Sequence, residues 1–215
     1  RPYHETLALP SELGEGFAAA VEGWFAACFA LGRTLLGALV GELGGDPARV
    51  DAGFARPRSL TTLRPNPYPA GIAPVEISSD DGAPLACETH VDSGVLTLVF
   101  QDEQGGLEVR DADGRWTSVP YAPDAFVVNT GLALEQLTAG RLRATAHRVR
   151  ALGGERISIP FFFEPAHDVR IAPATLGLAG DVVAEASTSA NAGEDYERFL
   201  RRSLAKFVEY DRGDG

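Results

Sequence analysis

Nine short strand-like runs separated by turn signals fill the chain between Pro57 and Pro173, near 59–64, 74–78, 84–90, 94–100, 106–110, 115–119, 125–129, 145–151 and 155–163. The runs alternate with turn signals along this whole stretch. Many short strands with regular turns predict a sandwich or jelly roll. Asp113-Gly114 predicts a hairpin turn, and Gly153-Gly154 a second. A turn of helix is expected within the region at 134–137.

Helical periodicity flanks this β region. Over 14–43 the residues Phe17, Val21, Trp24, Phe25, Cys28, Leu31, Leu35, Leu39 and Leu43 share one broad face. Ser11 is placed as the N-cap, with Glu12 in the first turn. Gly44-Gly45 and then Pro47 end the run. The pattern predicts a long scaffold helix lying on a sheet. The tail regains the helical period at Tyr196, Phe199, Leu200, Leu204, Phe207 and Val208, after an Ala-, Gly-, Ser- and Thr-rich stretch at 174–193. The chain is therefore read as one domain over 1–215: a helical part at 1–57, a β core at 58–173 and a helical extension at 174–215.

Charge and composition exclude several functions. Acidic residues outnumber basic ones by 30 to 19, the net charge is −11, and Lys206 is the one lysine. Nucleic-acid partners are not expected, because such binding is driven by Lys and Arg displacing counterions. Gly, Glu or Arg break the apolar stretches before the roughly 18 residues of a membrane span, so no membrane partner is expected. No secretory signal opens the chain. The two cysteines, Cys28 and Cys87, do not make a disulfide framework and are read as small core residues, which points to a reducing cytoplasm. The sequence holds no Met at all, so it is expected to be a fragment or a processed chain.

Four histidines are few, so their placement is informative. His90 and Asp92 are two apart, which on an extended strand puts imidazole and carboxylate on one face. His147 follows Asp92 by 55 residues, at the end of a strand beginning near Leu142. Two His and one carboxylate with open coordination positions suit non-haem Fe(II). Arg156 and Ser158 are likewise two apart on a strand, a guanidinium beside a hydroxyl, which can seat a carboxylate. If Arg156 faces inward, a carboxylate of the protein or of a ligand should meet it; otherwise it is a surface arginine. By alternation from these two, Phe162 faces inward and is a candidate pocket residue. Trp116 and the run Phe161-Phe162-Phe163 read most simply as core, and His4 and His167 as solvated.

Taken in order, these residues resemble a known family. The resemblance runs through Glu88-Thr89-His90-Val91-Asp92, Leu96-Thr97-Leu98, Gln101-Asp102 and Gly105-Gly106-Leu107-Glu108-Val109. It continues through Phe126-Val127-Val128-Asn129-Thr130-Gly131, then Gly140-Arg141-Leu142-Arg143-Ala144-Thr145-Ala146-His147-Arg148-Val149, and ends at Arg156-Ile157-Ser158-Ile159-Pro160-Phe161-Phe162. Asn66-Pro67-Tyr68-Pro69 adds an Asn-x-Tyr-Pro segment upstream. Over about 12–173 the chain is similar to the iron(II)/2-oxoglutarate-dependent oxygenases, in the isopenicillin N synthase-like branch. The resemblance implies a mainly β fold with flanking helices, built on a double-stranded β-helix (jelly roll) core. It implies His90, Asp92 and His147 as iron ligands. It implies Arg156 and Ser158 at the distal carboxylate of 2-oxoglutarate, Tyr68 adding a hydroxyl and Asn66 standing nearby. Leu107 joins Phe162 as a candidate for the substrate pocket.

The implied cofactors are Fe(II), 2-oxoglutarate as cosubstrate and dioxygen. The implied activity is hydroxylation, desaturation or ring closure of a small molecule in specialised-metabolite or amino-acid-derived biosynthesis. A 2-oxoglutarate-independent iron oxidase and a non-catalytic metal-binding jelly roll are the alternatives. The family's usual N-terminal segment is expected to be missing here. Leu132 stands where many relatives have Asp, at a position that is not an iron ligand.

Overall fold

The computed structural model describes residues 11–71, 81–178 and 193–204. A 3₁₀ turn (Ser11–Leu13) leads into α1 (Gly14–Glu42) and then α2 (Ala48–Phe54). The strands follow as β1 (Thr62–Leu63), β2 (Asn66–Tyr68), β3 (Leu85–His90), β4 (Leu96–Gln101), β5 (Leu107–Arg110), β6 (Trp116–Ser118) and β7 (Val127–Thr130). After α3 (Leu132–Leu137) come β8 (His147–Arg150) and β9 (Arg156–Phe163). A second 3₁₀ turn (Pro173–Leu176) and α4 (Tyr196–Leu204) complete the described chain.

The strands make two antiparallel sheets. One has the order β1-β9-β4-β7, with β2 also paired to β9; the other has the order β3-β8-β5-β6. Consecutive strands β8 and β9 lie in different sheets, so the chain winds between layers as in a double-stranded β-helix.

Alternation along β4 and β9 decides where the core sits. Leu96, Leu98, Phe161 and Phe163 are buried and belong to one apolar cluster with Cys28, Phe29, Leu36 and Val40 of α1. Phe161 meets Phe25 edge-on at 5.1 Å, and Phe163 lies between Phe29 and Phe54 at 5.2 and 5.1 Å. Burying each such ring contributes about 1.5–3 kcal/mol. Gly32 lets the helix approach, since a Cβ there would stand 2.7 Å from the Phe163 ring. The intervening residues of the same strands, Thr97, Gln101, Arg156 and Ser158, are buried and polar. The main apolar core thus lies between sheet and helices, while the space between the sheets is lined with polar groups.

Several expectations are corrected. The buried stripe of α1 runs through Cys28, Phe29, Gly32, Leu36 and Val40, leaving Phe17 and Leu31 exposed. The helix is apolar almost all round, so periodicity alone did not locate its buried side. For the same reason α1 holds an 18-residue stretch apolar enough to cross a membrane, although here its buried stripe packs on β4 and β9. Leu13 occupies the N-cap position, with no side-chain capping bond.

Gly153-Gly154 is no hairpin, because it joins strands of different sheets; Asp113-Gly114 does join the paired strands β5 and β6. The unforeseen strand β2 is proline-containing and, among the described residues, pairs with β9 on one side, as strand prolines at an edge do. Trp116 is half-buried on the outer face, against the guanidiniums of Arg148 and Arg110 rather than in the core. The expected strand at 74–78, His4, and much of the stretch at 174–193 lie outside the described residues.

Candidate metal centre

Register brings the two histidines together. His90 ends β3 and His147 opens β8, and the two are paired across the ladder with ring centroids 4.2 Å apart. His147 therefore begins its strand, where the sequence placed it at a strand's end. Asp92 differs too: β3 stops at His90, and Asp92 stands in the turn that follows. Its position comes from the turn, whose carbonyls are caught by α3. Leu132 N–H donates to the Asp92 carbonyl at 2.8 Å, and Ala133 N–H to those of Ser93 and Gly94 at 3.1 and 3.0 Å. Gly131 permits this approach, because a Cβ there would stand 2.3 Å from the Gly94 carbonyl.

The donor set is preorganised. Nδ1 of His90 lies 2.8 Å from the Glu88 carbonyl, and Nδ1 of His147 lies 3.1 Å from the Thr145 carbonyl. A carbonyl only accepts, so each Nδ1 carries the hydrogen and each Nε2 keeps its lone pair. Those Nε2 atoms lie 3.8 and 3.6 Å from Oδ1 of Asp92. The other oxygen, Oδ2, accepts from Thr97 Oγ1 at 2.6 Å and Asn129 Nδ2 at 2.9 Å. Ligand atoms of the three residues all fall within 4.8 Å of one another. Two imidazole nitrogens and one free carboxylate oxygen fit a ferrous ion with open positions.

Thr97 and Asn129 face each other across β4 and β7, and their holding role was missed in the sequence. Asn129 also lies 3.4 Å from His147 Nδ1; since that nitrogen already donates to Thr145, the productive bond of the amide is to Asp92. Burial disfavours the charged form of His90, but the Cys87 thiol and the Glu88 carbonyl outweigh it, and His90 titrates above an ordinary histidine. Cys87 is thus no core residue. Its Sγ stands 3.9 Å from His90 Nδ1, whereas Cys28 is buried in the apolar core as expected.

A second constellation lies on β9 and β2. Register sets Asn66 opposite Ser158 and Tyr68 opposite Arg156. Arg156 is buried, donates from Nε to the Gly105 carbonyl at 2.6 Å and from Nη1 to Ser158 Oγ at 3.0 Å, and sits 4.8 Å above the Tyr68 ring centroid. Burial pushes the Tyr68 hydroxyl upward and the Cys87 thiol adds to this, while Arg156 and Ser158 pull the other way. Among the described residues no carboxylate forms an ion pair with Arg156, which leaves the cation without a counter-charge from them. By contrast, Arg148 on the outer face of the other sheet is saturated by Glu108 at 2.7 Å and Asp81 at 2.6 Å.

The pocket candidates also fall between the sheets. Phe162 is paired with Thr97, whose side chain reaches Asp92. Leu107 shares the face of Val109, which is paired with His147. Behind the ligand turn lies a group that no motif singles out. Glu164 is buried; burial, with Asp92 adding, pushes its carboxyl up to about 8 against the opposing bonds from Tyr196 and Val95.

Residues 63–165 match the 2OG-Fe(II) oxygenase superfamily. The chain is 32% identical to isopenicillin N synthase of Streptomyces griseus over 175 residues, which is 80% of this chain and 53% of that protein. It is 33% identical over 168 residues to a 2-oxoglutarate-dependent dioxygenase of Monascus ruber, covering 76% of this chain and 50% of the relative. Among solved structures, a full-length Neurospora crassa protein in complex with alpha-KG and 5-formyluracil superposes with a TM-score of 0.74 at 27% identity, over 89% of this chain and 61% of that one. The chain spans about half the length of the curated relatives it matches.

Proposed function

The chain belongs to the 2OG-Fe(II) oxygenase superfamily, and from this we propose that it is an Fe(II)- and 2-oxoglutarate-dependent oxygenase acting on a small molecule. The observation that carries the reading is the convergence of His90 Nε2 and His147 Nε2 on the one oxygen of Asp92 that Thr97 and Asn129 leave free. Arg156 supports the cosubstrate assignment, being a buried guanidinium paired with a hydroxyl and given no acid by the described residues.

In this reading His90, Asp92 and His147 hold the ferrous ion. Arg156 and Ser158 seat the distal carboxylate of 2-oxoglutarate, with Tyr68 and Asn66 beside them. When bound, iron and 2-oxoglutarate supply an oxidation in which dioxygen is consumed and the keto acid leaves as succinate and carbon dioxide. The chain itself orients and excludes. Glu88 and Thr145 fix the imidazole tautomers, Thr97 and Asn129 fix the carboxylate, and Phe162 and Leu107 keep water from the substrate side. The small-molecule assignment is supported by the acidic charge of the chain and by the 5-formyluracil held in the Neurospora crassa complex. The free cysteines fit a reducing cytoplasm. A hydroxylation, desaturation or ring closure in a biosynthetic route is the reaction class we assign.

Anaerobic reconstitution tests it. Fe(II) plus 2-oxoglutarate is expected to give the weak visible charge-transfer band of the chelate, and admission of air to give succinate. A chain that binds iron but neither shows that band nor forms succinate would not fit. The isopenicillin N synthase relatives favour one other reading, an iron oxidase that needs no 2-oxoglutarate. It predicts substrate-dependent oxygen uptake unchanged when 2-oxoglutarate is left out.

Protons compete with iron at this site. Both imidazoles must be neutral to ligate, and His90 keeps its proton to higher pH than ordinary histidine. Apparent Fe(II) affinity is expected to fall as pH falls, beginning above the usual imidazole midpoint of about 6.5. Anaerobic metal titrations over a pH series check this. Full affinity persisting below about pH 5 would remove the histidines from the ligand set.

A further inference from the structure

The turn that carries Asp92 is gripped from two sides. On one side are the amides of α3 described above. On the other is the side chain of Glu164, which follows β9 directly. Its Oε2 accepts the Val95 N–H at 3.3 Å and also the Tyr196 hydroxyl. Its Oε1 fills the space that Gly94 leaves, since a Cβ on Gly94 would stand 1.8 Å from it. The backbone of Glu164 is anchored as well: its carbonyl accepts from Ser59 Oγ at 2.6 Å, and its N–H donates to Thr61 Oγ1 at 3.0 Å. Tyr196 is fully buried at the start of α4, where its N–H donates to the Val169 carbonyl at 2.8 Å. A buried carboxyl is costly without partners, and the partners of this one lie on the ligand turn and on α4.

We infer that Glu164, seated by Tyr196, is a positioning residue for Asp92: it sets the height of the turn at Gly94 and Val95, and so fixes where the free carboxylate oxygen is presented to the metal. The inference rests on the metal reading above. It also makes α4 part of the centre, since the Tyr196 hydroxyl is the link between that helix and the ligand turn. The α3 amides hold the carbonyls of residues 92–94 and the Gly131 N–H holds that of Val95 at 3.1 Å; the Val95 N–H and the space at Gly94 are the part of the grip that falls to Glu164. Outer partners of metal ligands are typically worth 10–100-fold in affinity, and Glu164 is assigned to that class.

The test is anaerobic Co(II) titration of the full chain, read by the visible ligand-field band, with circular dichroism and melting of the metal-free protein alongside. Glu164→Ala is expected to bind Co(II) about 10–100-fold more weakly than the parent and with an altered band. Glu164→Gln, which keeps the shape and an acceptor for Val95 and Tyr196, is expected to restore binding to within about threefold. Gly94→Ala drives the carboxyl from its seat and is expected to resemble Glu164→Ala. Tyr196→Phe removes one hydroxyl, is expected to fold, and should weaken binding about 3–10-fold; it decides the matter if Glu164→Ala does not fold. Parental affinity and band in folded Glu164→Ala, or in Tyr196→Phe, overturn the inference, as does a folded Glu164→Gln that binds as poorly as Glu164→Ala. If the parent protein binds no Co(II), the metal reading falls and takes this one with it. If the parent binds and Asp92→Ala does not, the metal reading stands and the Glu164 variants alone decide.

Discussion

Asp92→Ala is expected to abolish metal binding and succinate formation together. Asp92 supplies the only anionic atom of the set, and its Oδ1 is the point on which both Nε2 atoms converge. Removing it leaves two neutral imidazoles, a weaker seat for ferrous iron than the two-histidine, one-carboxylate set. The expected loss of Fe(II) affinity exceeds the roughly hundredfold that outer partners are worth, and succinate should fall to background. The fold should survive. The substitution strands the buried Thr97 hydroxyl, at a cost of about 1–3 kcal/mol, and takes one partner from the half-buried Asn129 amide, while the apolar cluster against α1 is untouched. Anaerobic iron titration, succinate assay and circular dichroism of one preparation separate loss of the site from loss of the protein. Iron-dependent succinate persisting in folded Asp92→Ala would take Asp92 out of the ligand set.

How much of this was legible in the sequence depends on whether a relation is local or made by register. His90 with Asp92 and Arg156 with Ser158 are local pairs, and both stand together in the structure. Yet even the first was right for an incomplete reason, since Asp92 reaches His90 through a turn rather than along a strand. The pairing of His90 with His147, of Tyr68 with Arg156 and of Thr97 with Asn129 is set by ladder register across separations that no local pattern encodes. The scarcity of histidines made His147 a candidate partner of His90, and the resemblance assigned it; the second was reached by the resemblance alone.

The third, with Glu164 and Tyr196, was missed because a threonine, an asparagine or a Phe-Glu-Pro segment carries no chemical signal until its neighbours are known. The α1 stripe shows the converse difficulty. Where nearly every position is apolar or small, periodicity carries little information, and the close seat of Phe163 over Gly32 selects the buried side instead.

Replacing Arg156 with Leu is expected to separate cosubstrate from metal. The guanidinium makes no contact with His90, Asp92 or His147; its bonds go to the Gly105 carbonyl and Ser158, and its face to Tyr68. Iron affinity should therefore stay within about threefold of the parent, because no partner of the metal ligands is disturbed. Affinity for 2-oxoglutarate should collapse, since truncating one partner of a buried charge pair costs about 2–5 kcal/mol, or about thirtyfold and upward. Arg156→Lys should recover little, because a single ammonium cannot reproduce the planar fork that holds Gly105, Ser158 and a carboxylate at once. The readouts are the 2-oxoglutarate dependence of the visible chelate band and the KM for 2-oxoglutarate in succinate formation. An iron-loaded Arg156→Leu protein with parental KM would mean that the diacid binds elsewhere. Oxygen consumption that never depended on 2-oxoglutarate, in parent and variant alike, would instead move the chain to the cosubstrate-free reading. In that case the same guanidinium would be left to meet a carboxylate of the substrate, and the variant should then raise the KM for substrate.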